Sequence, residues 1–187
     1  MRLFIAINLP AVERGTIRKV TAGARAVAPG ASWVTEECLH LTLKFLGERP
    51  DTELEPLRAA LDGVARRSPP LRLVLGGVGA FPNFRAPRVV WMGVAHDPKL
   101  ELLHHDMETV LSDLGYDVDG RPFRPHVTLA RVRLELPREV TAELERRART
   151  IDYRSTIDAH SVDLMASELL PSGPRYRTVG TGALGAG

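Results

Sequence analysis

HLTLKFLG, residues 40–47, reads as a strand with two unlike faces. Side chains alternate along a strand, so Leu41, Leu43 and Phe45 share one side and His40, Thr42 and Lys44 the other. The apolar side is what a core requires. The other side sets an imidazole, a hydroxyl and an ammonium in a row, for which a core has no evident use. Residues 126–129 then spell His-Val-Thr-Leu, 86 positions after the His-Leu-Thr-Leu at 40–43. The same offset carries Arg2-Leu3-Phe4-Ile5-Ala6 onto Arg88-Val89-Val90-Trp91-Met92. Each half reads strand, helix, His-x-Thr strand, helix, strand, so the chain is expected to be one domain, 1–187, of two related lobes. The approximate repeats are 2–80 and 88–166, and residues 181–187 read as a loose tail.

Four amphipathic helices lie between the strands. The first begins at Pro10 and carries Ile17, Val20, Ala24 and Val27. The second opens on Thr52 and Glu55 in capping-box spacing and continues through Leu57, Leu61 and Val64. The third starts at Asp97-Pro98 and stops at Gly115, and the fourth follows Pro137. Strands are expected at Leu3–Leu9, His40–Leu46, Leu71–Val78, Val89–Ala95, Phe123–Val132, Ile157–Met165 and Tyr176–Gly180. Turns are expected at Pro29-Gly30, Gly76–Pro82 and Pro171–Pro174.

Charged residues make up 26% and hydrophobic ones 44% of 187 residues, the balance of an ordinary globular domain. The single cysteine, Cys38, excludes an internal disulfide. The N-terminal apolar run is shorter than a signal-peptide core, and no segment approaches a membrane span, so a cytoplasmic address and no membrane partner are expected. A net charge of +2 does not by itself indicate nucleic acid. Trp33 and Trp91 read as packing residues, and His104 and His105 as surface residues.

Two imidazoles with two hydroxyls around one point supply an acid and a base near neutral pH, because histidine titrates near 6.5. Cleavage of a phosphodiester needs that pair. A base deprotonates the attacking water, an acid protonates the departing oxygen, and hydroxyls donate to the non-bridging oxygens. Metal-ligand spacings such as His-Glu-x-x-His are missing, so no metal and no cofactor are expected.

These residues, with RLFIAINLP at the start, PRVVWMGV in the middle, RPFRPHVTLARV after it and MASELLPSGPRYR late in the chain, resemble the two-histidine (2H) phosphoesterase superfamily. Within it the likeness is to the RNA 2′,3′-cyclic phosphodiesterase, or 2′-5′ RNA ligase, family. The resemblance implies an α+β, bilobal fold, with two antiparallel sheets lining a central cleft and helices outside. It also implies hydrolysis of RNA 2′,3′-cyclic phosphates to 2′-phosphomonoesters.

Carried over, the resemblance makes His40 the general acid and His126 the general base, with Thr42 and Thr128 holding the phosphate. Arg131 closes the second motif as a phosphate contact, although a regular strand would point it away from His126. Lys44, Phe4 and Tyr176 are further candidates for substrate contact: an ammonium on the polar face, and two rings that could stack a base or line the cleft. RNA ends or small cyclic nucleotides are the expected substrates of a monomer. Two alternatives remain open: ATP-independent joining of RNA halves through the same site, and an RNA-end-binding module without turnover.

Overall fold

The computed structural model describes residues 1–170 and 173–185. Its strands are β1 (Arg2–Asn8), β2 (Ser32–Trp33), β3 (His40–Glu48), β4 (Leu71–Phe81), β5 (Val89–Val94), β6 (His126–Arg131), β7 (Arg154–Ala159), β8 (Ser161–Leu170) and β9 (Gly173–Ala183). The helices are α1 (Ala11–Val20), α2 (Ala22–Val27), α3 (Leu54–Arg67), α4 (Pro98–Asp113) and α5 (Arg138–Arg149).

Long β segments with apolar residues on one side call for cover on that side alone, and an antiparallel sheet provides that arrangement. All strand pairs here are antiparallel, in the order β7-β4-β5-β6-β3-β1-β8-β9, with β2 added beside β6. The two sheets expected from the sequence are therefore one curled sheet. Its halves are joined where β3 meets β6, through the pair Leu41 and Val127. Helix α3 packs on β8 and β9, α4 on β3, and α5 on β4. Between helices and sheet lies the main core, which includes Leu3, Ile5, Ile7, Leu41, Leu61, Leu73, Met92, Val127 and Leu164. The opposite face is left open.

Several local expectations are corrected. The first helix breaks at Thr21, whose hydroxyl donates back to the Ile17 carbonyl at 2.8 Å. The capping box at Thr52 does not form: a 3-10 turn, Asp51–Glu53, precedes α3 and no side chain caps it. By contrast, Asp97 caps α4 by accepting from the amides of Lys99 and Leu100 at 2.9 and 3.0 Å. Residues Gly76–Phe81, expected as a turn, continue β4, and the late strand splits at His160 into β7 and β8. The tail is strand through Ala183, and Leu184 is buried. Of the turn expected at Pro171–Pro174, residues 171 and 172 lie outside those described, and Pro174 belongs to β9. Among the described residues no helix is long and apolar enough to cross a membrane.

Candidate active site

At the junction of the halves, the register Leu41–Val127 continued antiparallel sets His40 across from Thr128 and His126 across from Thr42. Leu41 and Val127 point into the core, so all four motif side chains stand on the open face. Each is partly exposed.

The two strands do not keep their parity. Thr42 pairs with Ala6 but Lys44 with the adjacent Ile5, so β3 has one residue in excess at Leu43, ahead of a further shift between Phe45 and Gly47. In β6, Thr128 pairs with Trp91 and Ala130 with Val90, an identical excess. Both are β-bulges, which turn the following side chains over. As a result Leu43 and Lys44 are both buried, as are Leu129 and Ala130. The next residues, Phe45 and Arg131, emerge on the open face beside the histidines.

The bulge resolves the parity objection to Arg131. Its charge acts on both imidazoles and on Tyr176. It also removes Lys44 from the site. Lys44 is 4% exposed and its Nζ lies 2.8 Å from Glu108 Oε1. It donates to the Asp117 carbonyl at 2.7 Å, while Glu108 accepts from the Asp119 amide at 3.0 Å. Lys44 therefore ties β3 and α4 to the loop leading toward His126. His104 belongs to this buried group and not to the surface, stacked on Phe123 at 3.9 Å.

The histidines are held alike. His40 Nδ1 lies 2.7 Å from the Cys38 carbonyl oxygen, and His126 Nδ1 lies 2.7 Å from that of Arg124. A carbonyl can only accept, so Nδ1 carries the proton in each neutral ring and Nε2 keeps the lone pair. Both rings are thus set in the tautomer that presents Nε2 as a base, or as an acid once protonated. Burial pushes His40 down to about 4, with the charge of Arg131 adding to it and the Cys38 carbonyl opposing. Burial and Arg131 lower His126 as well, against the Arg124 carbonyl.

Aromatic rings flank each imidazole. Phe4 sits 4.9 Å and Tyr176 5.4 Å from His40, centroid to centroid. Phe4 is 3% exposed and, with Ala6 and Met165, forms a small apolar floor on the open face. It backs His40 and leaves no free face for a base. Phe45, which strand alternation assigned to the core, is 57% exposed 6.2 Å from Phe4. On the other side Phe81 lies 5.2 Å and Trp91 6.5 Å from His126. Trp91 is seated against Gly79: a Cβ there would collide with the indole, so only glycine lets the ring lie flat on β4. Trp91 therefore lines the site and is not simply a packing residue.

The sequence profile described as LigT-like phosphoesterase matches residues 7–91 and again 94–176. An RNA 2′,3′-cyclic phosphodiesterase from Geobacillus stearothermophilus is 39% identical over 128 residues, 68% of this chain and 41% of that protein. This chain thus matches less than half the length of that relative. A protein of the same name from Archaeoglobus fulgidus is 32% identical over 177 residues, 95% of this chain and 97% of its own. Among solved structures, TT0787 of Thermus thermophilus superposes with a TM-score of 0.83 at 31% identity, covering 100% of both chains. E. coli LigT complexed with 3′-AMP gives 0.78 at 28% identity, covering 98% of this chain and 97% of its own. The profile spans both His-x-Thr strands, and the Archaeoglobus relative spans nearly the whole length; this chain belongs to the LigT-like phosphoesterase family.

Proposed function

We propose that the chain hydrolyses the 2′,3′-cyclic phosphate of an RNA end to a 2′-phosphomonoester, without a metal and with one site per monomer. The observation that carries this reading is the matched pair of histidines. Both have Nδ1 committed to a backbone carbonyl, and they stand on one face of the β3–β6 pair, each across from a threonine. The names of the curated relatives support the substrate class.

In this reading His126 Nε2 takes a proton from water as its oxygen bonds to phosphorus. The bond from phosphorus to O3′ breaks, and O3′ takes the proton of His40 Nε2. Thr42, Thr128 and Arg131 hold the non-bridging oxygens as charge builds on them. The two-lobed repeat belongs to the same reading: each His-x-Thr strand carries a bulge just after its threonine, and the family profile matches once in each half. A cytoplasmic location is consistent with an RNA substrate.

The free protein also favours a second assignment. The acid must be protonated, and His40, displaced to about 4, is the harder ring to protonate. With His40 as acid, the bound phosphodiester anion has to raise it; with the roles exchanged, His126 donates. In both versions one ring is charged and one neutral. The kcat/KM profile is therefore a bell on the acid side of 6.5, because both folded values are lowered. Activity of the free enzyme falls as rising pH removes the last imidazolium proton, and falls again below about 4 as both rings become charged. The kcat profile is displaced upward, since the substrate anion stabilises imidazolium. Rates between about pH 3.5 and 9, fitted separately for the two parameters, check this; a flat profile contradicts it.

Arg131→Ala is expected to lower kcat by about 10²-fold, the scale for one lost donor to a developing oxyanion. Arg131→Lys should recover little, because an ammonium lacks the two-pronged fork. Single-turnover rates on a cyclic-phosphate dinucleotide measure both variants. Retention of full kcat in Arg131→Ala would return this residue to the surface role that simple strand alternation assigns it.

A further inference from the structure

On the His40 side of the site, beyond Tyr176, lies a hollow of about 650 Å³. Arg2, Arg175 and Arg177 line it together with Glu48 and Glu168, and Tyr176 is the wall shared with His40. It opens where β1 begins. Arg2 is the first residue of β1 and pairs with Ser167 of β8, and the β8–β9 ribbon runs on past it, so residues from both sides of the ribbon reach the wall. Arg177 Nη2 reaches the Met1 sulfur at 3.0 Å, and the charge of Arg2 acts on the Tyr176 phenol. Among the described residues none of the three guanidiniums forms an ion pair with Glu48 or Glu168. Three guanidiniums against two carboxylates, none of them paired with one another, leave a cationic excess beside an aromatic wall, the kind of surface that tracks a nucleic-acid backbone while its bases stack.

We propose that this hollow takes the phosphates of the nucleotides 5′ to the reacting one, so the substrate is an oligonucleotide end rather than a mononucleotide. The inference rests on the cyclic-phosphodiesterase reading and adds a strand direction to it. The nucleoside carrying the cyclic phosphate sits on the His40 side, because its O3′ must reach that acid. Its 5′ phosphate then passes the edge of Tyr176 into the arginine hollow. The His126 side is left for water. With the two histidine roles exchanged, the strand would leave over Phe81 and Trp91, and the arginine hollow would play no part.

The test compares kcat/KM for a mononucleoside 2′,3′-cyclic phosphate with that for a four-nucleotide RNA ending in the same group. Both are measured in the wild type and in Arg2→Gln/Arg175→Gln/Arg177→Gln. The mononucleotide serves as the control for folding and for the catalytic groups. The expected result is a loss of about 10-fold or more on the tetranucleotide, with less than about 2-fold change on the mononucleotide. The salt dependence of log kcat/KM on the tetranucleotide should become shallower by about 2, since each phosphate no longer neutralised on a single strand removes roughly 0.7 from the slope. Equal losses on both substrates, or no loss on the tetranucleotide, would overturn the inference and leave the reaction standing. Failure of the wild type to turn over either substrate would overturn the reaction and the inference together.

Discussion

Replacing His40 or His126 with alanine is expected to lower kcat on a 2′,3′-cyclic phosphate end by about 10²–10⁴-fold each. The double replacement should cost far less than the product of the two, because one proton shuttle serves both ends of the reaction. Each ring is anchored through Nδ1 to the carbonyl two residues before it, so alanine removes the reactive nitrogen and leaves the strand pairing in place. Leaving-group chemistry then separates the two histidines. A substrate with sulfur at the 3′ position departs without a proton, so the variant lacking the acid recovers on it and the variant lacking the base does not. Recovery of His40→Ala fits the family assignment. Recovery of His126→Ala fits the order in which burial and Arg131 set the free imidazoles. Similar activity of both variants and the wild type on the oxygen substrate would remove the histidines from the chemistry.

The second large effect is on stability. Lys44→Ala leaves Glu108, only 9% exposed, without its partner, and is expected to destabilise the fold by about 3–5 kcal/mol in urea unfolding. Removing both charges, as in Lys44→Met/Glu108→Leu, should restore most of that, since two apolar side chains can fill the place of a buried ion pair. The Asp119 amide would lose its acceptor, which keeps the restoration short of complete. If Lys44→Ala instead unfolds like the wild type and loses activity more than about 100-fold, Lys44 acts on substrate and β3 does not turn it into the core.

The fate of Lys44 shows what was legible and what was not. Alternation from His40 correctly puts Thr42 on the open face, because one face of β3 must be apolar and nothing interrupts the pleat before Leu43. The bulge between Thr42 and Lys44 is set by how β1 pairs with β3, a long-range event that period-2 reading does not contain. Yet the sequence carries its trace. In the first motif the apolar parity moves from Leu41 and Leu43 to Leu46, and in the second from Val127 and Leu129 to Val132. All six side chains are buried, so the slip in spacing marks the bulge in both strands. It would have exchanged Lys44 for Phe45 among the candidates and brought Arg131 into reach.

The aromatic surroundings were less legible. Phe4 and Trp91 sit on strands rich in core residues, and only the pairing of Phe4 with Phe45 and of Trp91 with Thr128 shows which way they face. The single continuous sheet was equally hidden, since it depends on one pair, Leu41 with Val127, between segments 86 positions apart. The mix of helices with antiparallel strands and the His-x-Thr pairs could be read because they are local patterns that occur in both halves.

The most direct test of the central claim is turnover of an RNA oligonucleotide ending in a 2′,3′-cyclic phosphate, in EDTA and without ATP, with the product's phosphate position mapped. Wild-type protein should yield a 2′-phosphomonoester of unchanged chain length, and His40→Ala and His126→Ala should yield almost none. A 3′-phosphate product, activity that disappears in EDTA, or tight binding without turnover that survives both substitutions would contradict the account.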